Sequence, residues 1–319
     1  MYGGVIRSDE YRQALLREVG RAYGVKAVAI TPAQRGYFGE TWKIDAQNAC
    51  YFLKLVYATA HQPVYRRGLI ALAHLQNHAV RDIGRVIKTL SGECFIPYDA
   101  ATLALFEWID GENIQNERTK LAEYKILARV YAVPVEGAGL QHDAFGTASA
   151  EVFFGQWARI EHACDAASAD VLAVLEGQRA RLVQRAERLA MFARRCAGDD
   201  GPVFITHGDA GGNIIVSGDA HTLIDWDGAC LAPPERDAWF CLHWPWAMRA
   251  FNDALRGQNI AYTLRPERLA YYAYHTSFYY LTEYMQTVFD LGAEGMNEAL
   301  TQFFTGWIEE EIAYADTMV

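Results

Sequence analysis

The order of secondary-structure signals along the chain limits the folds that it can adopt. Up to residue 108 the pattern predicts short strands separated by turns, with helices only at 8–22 and 64–80. Beyond that point it predicts long helices, interrupted by one β-rich stretch at 203–226. We therefore expect an α+β protein with a small β-rich N-terminal lobe, residues 1–108, and a larger helical C-terminal lobe, residues 109–319.

Individual elements follow from local periodicity and from turn residues. The strands of the N-terminal lobe are predicted at 26–30, 41–45, 51–57, 84–89 and 102–108. The first helices of the C-terminal lobe are predicted at 117–133, 149–166 and 171–196, and helical pattern returns from 235 to the end.

Composition excludes several classes of protein. The hydrophobic share of 51% in 319 residues suffices for a core without disulfides, and the six cysteines contain no C-x-x-C pair. No apolar run reaches the ~18 residues of a membrane span, and no export signal is evident, so we expect a cytoplasmic protein without membrane partners. The net charge of −10 argues against a nucleic-acid partner.

Charge is distributed unevenly. Residues 1–111 carry a net +3 and residues 112–319 a net −13. Acidic surface for solubility explains most of the negative charge. The asymmetry also suits a protein whose first part binds an anion and whose second part binds a cation.

The β-rich stretch holds the residues with the clearest chemistry. Two apolar runs flank a Gly-Asp turn, so the expected hairpin collects Asp209, Asn213 and Asp225 at one end. Two carboxylates and a carboxamide, without His or Cys, form an oxygen-only donor set that suits Mg²⁺ rather than Zn²⁺. Magnesium shares its ligands readily with phosphates, which indicates phosphoryl transfer. The alternative, a surface hairpin with ordinary turn residues, is weakened by the apolar flanks and by the Gly211-Gly212 pair.

At these residues the sequence resembles a known family. His207-Gly208-Asp209, Asn213 and Ile224-Asp225-Trp226 resemble the motifs of aminoglycoside phosphotransferases and of the choline-kinase-like branch of the protein-kinase fold. The continuation to Asp237 looks most like the spectinomycin phosphotransferase group. The resemblance implies a protein-kinase-like two-lobed fold, with Asp209 as catalytic base, Asn213 and Asp225 as Mg²⁺ ligands, and Asp237 as a structural carboxylate. His207 is expected to be a hydrogen-bonded scaffold residue.

The same resemblance implies a nucleotide site, for ATP or GTP, in the N-terminal lobe. Lys54 lies inside an apolar strand, where a lysine is rarely buried without a partner, and in the family it reaches the donor phosphates. A glycine-containing loop would expose backbone N–H groups to phosphate oxygens. The strand that ends at Trp108 resembles the hinge whose backbone contacts adenine. The predicted nucleotide-binding residues are Lys54, Gly36, Tyr37, Phe38, Gly39, Glu107 and Ile109.

Two departures from the family pattern concern the metal and the lysine. The family has five positions from the catalytic Asp to the Asn, whereas Asp209 to Asn213 is four. The helix at 64–80 contains no Asp or Glu to pair with Lys54, so Asp82 or Glu40 could substitute, or the lysine could act unpaired. These departures keep a non-catalytic pseudokinase open as an alternative.

The acceptor site in this fold lies in the helical lobe. Aromatic faces and carboxylates suit a cationic, hydroxylated small molecule, and the predicted substrate-binding residues are Asp227, Trp244 and Glu283. Asp227 follows Asp225 by two positions, so on a strand both side chains would point the same way.

The sequence thus predicts an ATP-dependent small-molecule O-phosphotransferase with Mg²⁺ as cofactor. An aminocyclitol or aminoglycoside-like acceptor, and hence antibiotic resistance, is the first alternative. A metabolic sugar or amino-alcohol kinase is the second, and a pseudokinase the third.

Overall fold

The computed structural model describes residues 7–33, 39–162, 166–198, 201–241, 244–291 and 296–318. They divide into two compact units. The first consists of Met1–His142 and Phe204–Leu231, and the second of Asp143–Val203 and Ala232–Val319. The predicted division into a nucleotide lobe ending at residue 108 and an acceptor lobe is defined by function, and it stays a prediction.

The described residues of the first unit form the strands and three helices. Its helices are α1 (Asp9–Tyr23), α2 (Gln62–Asn77) and α3 (Glu117–Tyr131). Its strands are β1 (Ala27–Pro32), β2 (Glu40–Ala46), β3 (Cys50–Val56), β4 (Val86–Ile87), β5 (Ile96–Tyr98), β6 (Ala101–Glu107), β7 (Glu112–Asn113), β8 (Phe204–Thr206), β9 (Ile214–Ser217), β10 (Ala220–Leu223) and β11 (Cys230–Ala232), which ends at the unit boundary.

The N-terminal sheet is antiparallel and has the order β1-β2-β3-β6-β4, with β5 paired to β6. Alternation along β3 places Leu53 and Leu55 in the core, where both are fully buried. The core also contains Leu15 and Val19 of α1. Because neighbouring side chains on a strand face opposite ways, Lys54 projects from the other face of the sheet.

The β-rich stretch after residue 203 forms the predicted hairpin. Strands β9 and β10 pair antiparallel, with Ser217 opposite Ala220. Gly218 adopts φ +59° in the turn, a conformation that glycine reaches without steric cost. The strand continues only to Leu223: residues Trp226–Gly228 form a 3₁₀ turn. The expectation that 225–227 are part of a strand was therefore wrong.

The second unit is helical. Its helices are α4 (Ala148–Glu161), α5 (Ala166–Gly177), α6 (Arg179–Ala197), α7 (Glu235–Ala238), α8 (Pro245–Gly257), α9 (Pro266–Leu291), α10 (Met296–Phe303) and α11 (Trp307–Asp316). Helix α9 packs against α4, α6 and α11. The predicted helix at 171–196 is in fact two helices, α5 and α6, because the first ends at Gly177, a residue type that favours helix termini.

Buried polar groups hold helices of the second unit together. Glu235 is fully buried, and its carboxylate accepts hydrogen bonds from Tyr262 Oη at 2.8 Å and from the Arg265 backbone N at 2.6 Å. Arg268 Nη1 donates to Tyr262 Oη at 2.9 Å. Burial raises the pKa of Glu235, although these hydrogen bonds oppose the rise. Among the described helices, none combines the length and apolarity needed to cross a bilayer.

Candidate active site

Lys54 lies between two carboxylates. Its Nζ is 2.9 Å from Asp225 Oδ1 and 2.7 Å from Asp227 Oδ2, and only 12% of its side chain is exposed. Burial alone would lower the pKa of Lys54, but the two carboxylates together raise it above its ordinary value. Lys54 is therefore charged at neutral pH. One ammonium and two carboxylates leave the cluster with a net negative charge when both acids are ionised.

The backbone of 225–228 aims both carboxylates at the lysine. Asp225 has φ +64° and ψ +63°, a left-handed conformation that Asp adopts more readily than most residues but at a cost of about 1–3 kcal/mol. Asp227 belongs to the 3₁₀ turn that follows. Attraction to Lys54 lowers the pKa of Asp225, whereas burial raises that of Asp227 to about 6, with the Asp225 charge adding to the rise.

Helix α2 packs directly on this turn. A Cβ added to Gly68 would lie 2.9 Å from Asp227 Cα and closer still to the Trp226 carbonyl oxygen, so only glycine permits the observed approach. Tyr65 of the same helix places its ring centroid 5.1 Å from Lys54 Nζ. The helix thus approaches the lysine with an aromatic ring and a glycine, and with no acid in its sequence.

The sequence left three possibilities for the partner of Lys54, and the geometry differs from all three. Asp82 pairs with Arg129 at 2.6 Å, and Glu40 pairs with Arg7 at 2.7 Å. Neither was the partner, and the lysine is not unpaired. Both of its partners come from the stretch that follows β10.

The loop between β8 and β9 brings Asp209 and Asn213 together in spite of its short length. Asn213 Nδ2 donates to the Asp209 carbonyl oxygen at 2.6 Å and to Asp209 Oδ2 at 3.2 Å. Gly208 and Gly212 adopt φ +85° and +108°, which lets the loop turn back within so few residues. Asn113 of β7 donates to the Gly212 carbonyl oxygen and ties the loop to the adjacent strand.

His207 connects this loop to the segment that carries Asp225. The imidazole is fully buried, its Nε2 donates to the Ile224 carbonyl oxygen at 2.8 Å, and its Nδ1 accepts from the Asp209 backbone N at 3.2 Å. The Ile224 backbone N donates to the Asn213 carbonyl oxygen at 2.9 Å. These hydrogen bonds link the two segments through His207, whose scaffold role stays a prediction. The first unit brings together Lys54, His207, Asp209, Asn213, Asp225 and Asp227.

The donor set fits a magnesium ion. Within the described ranges no three His, Cys, Asp or Glu side chains form a metal cluster. Mg²⁺ needs fewer protein ligands, because it retains waters and binds substrate phosphates. Asp225 is 43% exposed, and the amide orientation that directs Asn213 Nδ2 at Asp209 leaves its Oδ1 as the oxygen donor.

The remaining predicted nucleotide residues lie in or beside the N-terminal sheet. Gly36, Tyr37 and Phe38 lie outside the described residues. Gly39 lies beside Lys54, since a Cβ there would be 2.9 Å from the Leu55 carbonyl oxygen and 3.4 Å from Lys54 Cγ.

The predicted hinge follows strand β6. This strand ends at Glu107, whose backbone N donates to Arg85 O, and Trp108 N donates to Cys50 O. Ile109 follows as a half-buried residue outside any strand.

Three predicted residues belong to the second unit. Asp237 is buried in α7, and Glu283 lies in α9. Trp244 precedes α8, is 41% exposed and stacks on Trp246 with ring centroids 6.1 Å apart. The structural role of Asp237 and the acceptor roles of Trp244 and Glu283 stay predictions.

Gly68 and Tyr65 contribute to the site and were missed from the sequence. A glycine in the middle of an otherwise regular helix is the one signal that could have indicated a close backbone approach. Nothing in the helix pattern distinguishes Tyr65 from an ordinary core residue.

Comparison with solved structures shows the fold. A spectinomycin phosphotransferase in complex with ADP and spectinomycin matches with a TM-score of 0.74 and 19% identity over 95% of this chain and 97% of that chain. A microcompartment-associated aminopropanol kinase matches with a TM-score of 0.67 and 14% identity, over 96% and 98%. An amicoumacin kinase in complex with AMP-PNP and Ca²⁺ matches with a TM-score of 0.61 and 14% identity, over 95% and 94%.

These likenesses confirm the predicted α+β, protein-kinase-like fold class, with its N-terminal antiparallel sheet and helical remainder. No curated protein matches the chain. Residues 29–274 match the model of the phosphotransferase enzyme family, which confirms the predicted enzyme class. That match covers well over half of the sequence and includes Lys54 and the stretch 207–227, so the chain belongs to the phosphotransferase enzyme family.

Proposed function

We propose that the protein transfers the terminal phosphoryl group of ATP to a hydroxyl group of a small cationic molecule. The observation that carries this proposal is the 2.9 Å contact between Lys54 Nζ and Asp225 Oδ1. It joins a strand lysine to a carboxylate 171 residues away, next to the loop that holds Asp209 and Asn213. A lysine for phosphates, an oxygen donor set for Mg²⁺ and a carboxylate for the acceptor are the parts that phosphoryl transfer requires.

The donor side is assigned to the N-terminal sheet. Lys54 binds phosphate oxygens as a permanent cation, and we assign Gly39, which lies beside Lys54, to the same phosphates. The backbone groups of Glu107 and Ile109 are assigned to the nucleotide base. Both adenine and guanine can form hydrogen bonds with backbone groups. Asn213 and Asp225 would hold Mg²⁺, which would supply charge neutralisation at the donor phosphates.

Asp209 is assigned the acceptor hydroxyl. Its carboxylate is oriented by Asn213 Nδ2 and its backbone by His207, so its position is set before a substrate arrives. Asp209 orients the hydroxyl and accepts its proton as the phosphoryl group is transferred. Because the transition state of phosphoryl transfer is loose, positioning and charge neutralisation supply most of the rate acceleration.

An acceptor that carries both an amine and a hydroxyl is favoured. The solved structures described above include an aminopropanol kinase, and aminopropanol carries both groups. We assign Trp244 and Glu283 to the acceptor, as an aromatic face and a carboxylate that suit a cation. Aminocyclitols and short amino alcohols both meet this description, and they form the two arms of the test.

The proposal is tested by measuring Mg²⁺-dependent ADP release with a panel of aminocyclitols, aminoglycosides, amino alcohols and neutral sugars. We expect turnover with an amine-bearing member and none with its N-acetylated form. Asp209→Ala should abolish turnover, a loss of at least ~1,000-fold, while ATP binding measured by calorimetry is retained.

Asp219→Asn serves as the matched control, because Asp219 lies in the β9–β10 turn and is 97% exposed. Near-normal turnover by Asp209→Ala would contradict the catalytic assignment. Absence of both ATP binding and turnover in the wild type would contradict the kinase function itself.

A further inference from the structure

Asp227 makes the shorter of the two contacts to Lys54. Its Oδ2 lies 2.7 Å from Lys54 Nζ, against 2.9 Å for Asp225 Oδ1. The Asp227 side chain is 31% exposed, so water screens this contact only in part. Asp227, which the sequence assigns to the acceptor, is therefore also an ion-pair partner of the lysine.

The backbone under Asp227 is held from several sides. Trp226 is buried, its ring packs on His207 at 4.6 Å, and its Nε1 donates to the Leu223 carbonyl oxygen. The Ala229 backbone N donates to the Trp226 carbonyl oxygen and closes the 3₁₀ turn. Gly68 of α2 covers the outer face of the turn. Because the backbone of this turn is already restrained, the contact between the Asp227 carboxylate and Lys54 costs little additional conformational entropy.

Protein kinases orient the corresponding strand lysine with a glutamate from a helix. In this chain α2 occupies the position beside the lysine, but it contains no acid and presents Gly68 to the turn. A longer side chain at position 68 would collide with the backbone of Trp226 and Asp227. The close approach of the helix therefore excludes an acid of its own at this point, and the turn supplies one instead.

The two carboxylates on Lys54 have different further tasks. Asp225 is the carboxylate proposed to coordinate Mg²⁺, so its negative charge would be shared with the metal. Asp227 is then the anion that stays with the lysine. We propose that Asp227 is the positioning residue that holds Lys54 for the donor phosphates, in place of a helix carboxylate. This inference rests on the proposed function.

A double-mutant cycle on Lys54→Met and Asp227→Asn tests the inference. Asp227→Asn keeps the shape of the side chain and removes its charge. We expect kcat/KM for ATP to fall ~100-fold in each single variant, because the lysine is either lost or misplaced. In the double variant the second change should cost almost nothing further, since Asp227 acts through Lys54.

Three further measurements separate positioning from other roles. The KM for the best acceptor of the panel and the Mg²⁺ concentration for half-maximal rate should not change in Asp227→Asn. Asp225→Asn, the matched variant, should raise the Mg²⁺ requirement at least tenfold. Urea unfolding of the wild type, the two single variants and the double variant of the cycle reports the Lys54–Asp227 contact without reference to activity. We expect the losses of stability caused by Lys54→Met and Asp227→Asn to be less than additive.

Each contrary result has a distinct meaning. Additive losses of kcat/KM in the cycle overturn the inference, as does a raised acceptor KM in Asp227→Asn, which would return this residue to the acceptor site. A raised Mg²⁺ requirement in Asp227→Asn overturns it in favour of a metal ligand. A wild type that neither binds nor turns over ATP overturns the proposed function and the inference together, whereas normal wild-type kinetics with any of the other results overturns the inference alone.

Discussion

Lys54 shows how a charged residue is accommodated inside an apolar strand. Its neighbours Leu53 and Leu55 are fully buried, and its own side chain is 12% exposed. A lone ammonium at such a place would lose its proton or destabilise the fold. Two carboxylates raise the pKa of the lysine instead, so the strand retains a permanent cation that faces the proposed phosphate site.

His207 makes two hydrogen bonds from one buried ring, one with the loop that carries Asp209 and one with Ile224. His207→Ala should destabilise the protein by about 1–3 kcal/mol, because it leaves the Asp209 backbone N and the Ile224 carbonyl oxygen without this partner. Urea unfolding monitored by tryptophan fluorescence measures the loss. His221→Ala, in the half-exposed part of β10, is the control and should change stability by no more than about 0.5 kcal/mol. Equal effects of the two substitutions would contradict the scaffold role.

At the scale of elements, the packing of α2 on the 225–228 turn sets the position of the lysine's partners. The contact depends on one missing side chain, that of Gly68. Helix propensity alone would favour alanine there, by about 1 kcal/mol. The close approach of the two backbones outweighs that preference.

Two glycine-to-alanine substitutions in helices should therefore change the stability of the protein in opposite directions. Gly68→Ala should destabilise the protein by about 1–3 kcal/mol, because its Cβ would overlap the Trp226 carbonyl oxygen. Gly155→Ala in α4 should stabilise it by about 0.5–1 kcal/mol, because that position is exposed and a Cβ there meets nothing within 4 Å. Differential scanning calorimetry of both variants gives the comparison. A rise in Tm for Gly68→Ala would show that the helix can move away from the turn.

Periodicity predicts the long elements of this chain and misses the short ones. Helices α1, α2 and α3 and the β9–β10 hairpin lie within a few residues of their predicted bounds. Strands β5 and β7 have only three and two residues, too few to show an alternation. The turn at 226–228 was missed because its conformation depends on the left-handed backbone of Asp225, which apolar pattern does not encode.

The sequence indicates which residues belong to the motifs, but it does not indicate which side chains those residues contact. Asp209, Asn213 and Asp225 were predicted from their spacing, and the structure places them on one loop and on the segment that is hydrogen-bonded to it. The partner of Lys54 is separated from it by more than half the chain, and the choice among Asp82, Glu40, Asp225 and Asp227 depends on tertiary packing. Sequence reasoning favoured a nearby acid because local contacts are the ones it can evaluate.

At the scale of the molecule, every residue assigned to phosphates and metal belongs to the first unit. Mg²⁺ with ADP should therefore stabilise the protein by about 2.7 kcal/mol at a ligand concentration 100-fold above Kd. Hydrogen exchange should slow most in β3 and in residues 207–213, and least in α10 and α11. EDTA should remove most of the effect, and protection confined to the helices of the second unit would contradict the assignment of the site.

The discontinuity of the first unit has a consequence for synthesis of the protein. Lys54 leaves the ribosome 171 residues before Asp225. At ~5–20 residues per second the N-terminal sheet would wait roughly 10–30 s before its lysine can meet either carboxylate. During that interval the strand carries an uncompensated charge beside apolar surface. The charge cluster on Lys54 is therefore completed only after the β9–β10 hairpin and the turn at 226–228 have been translated.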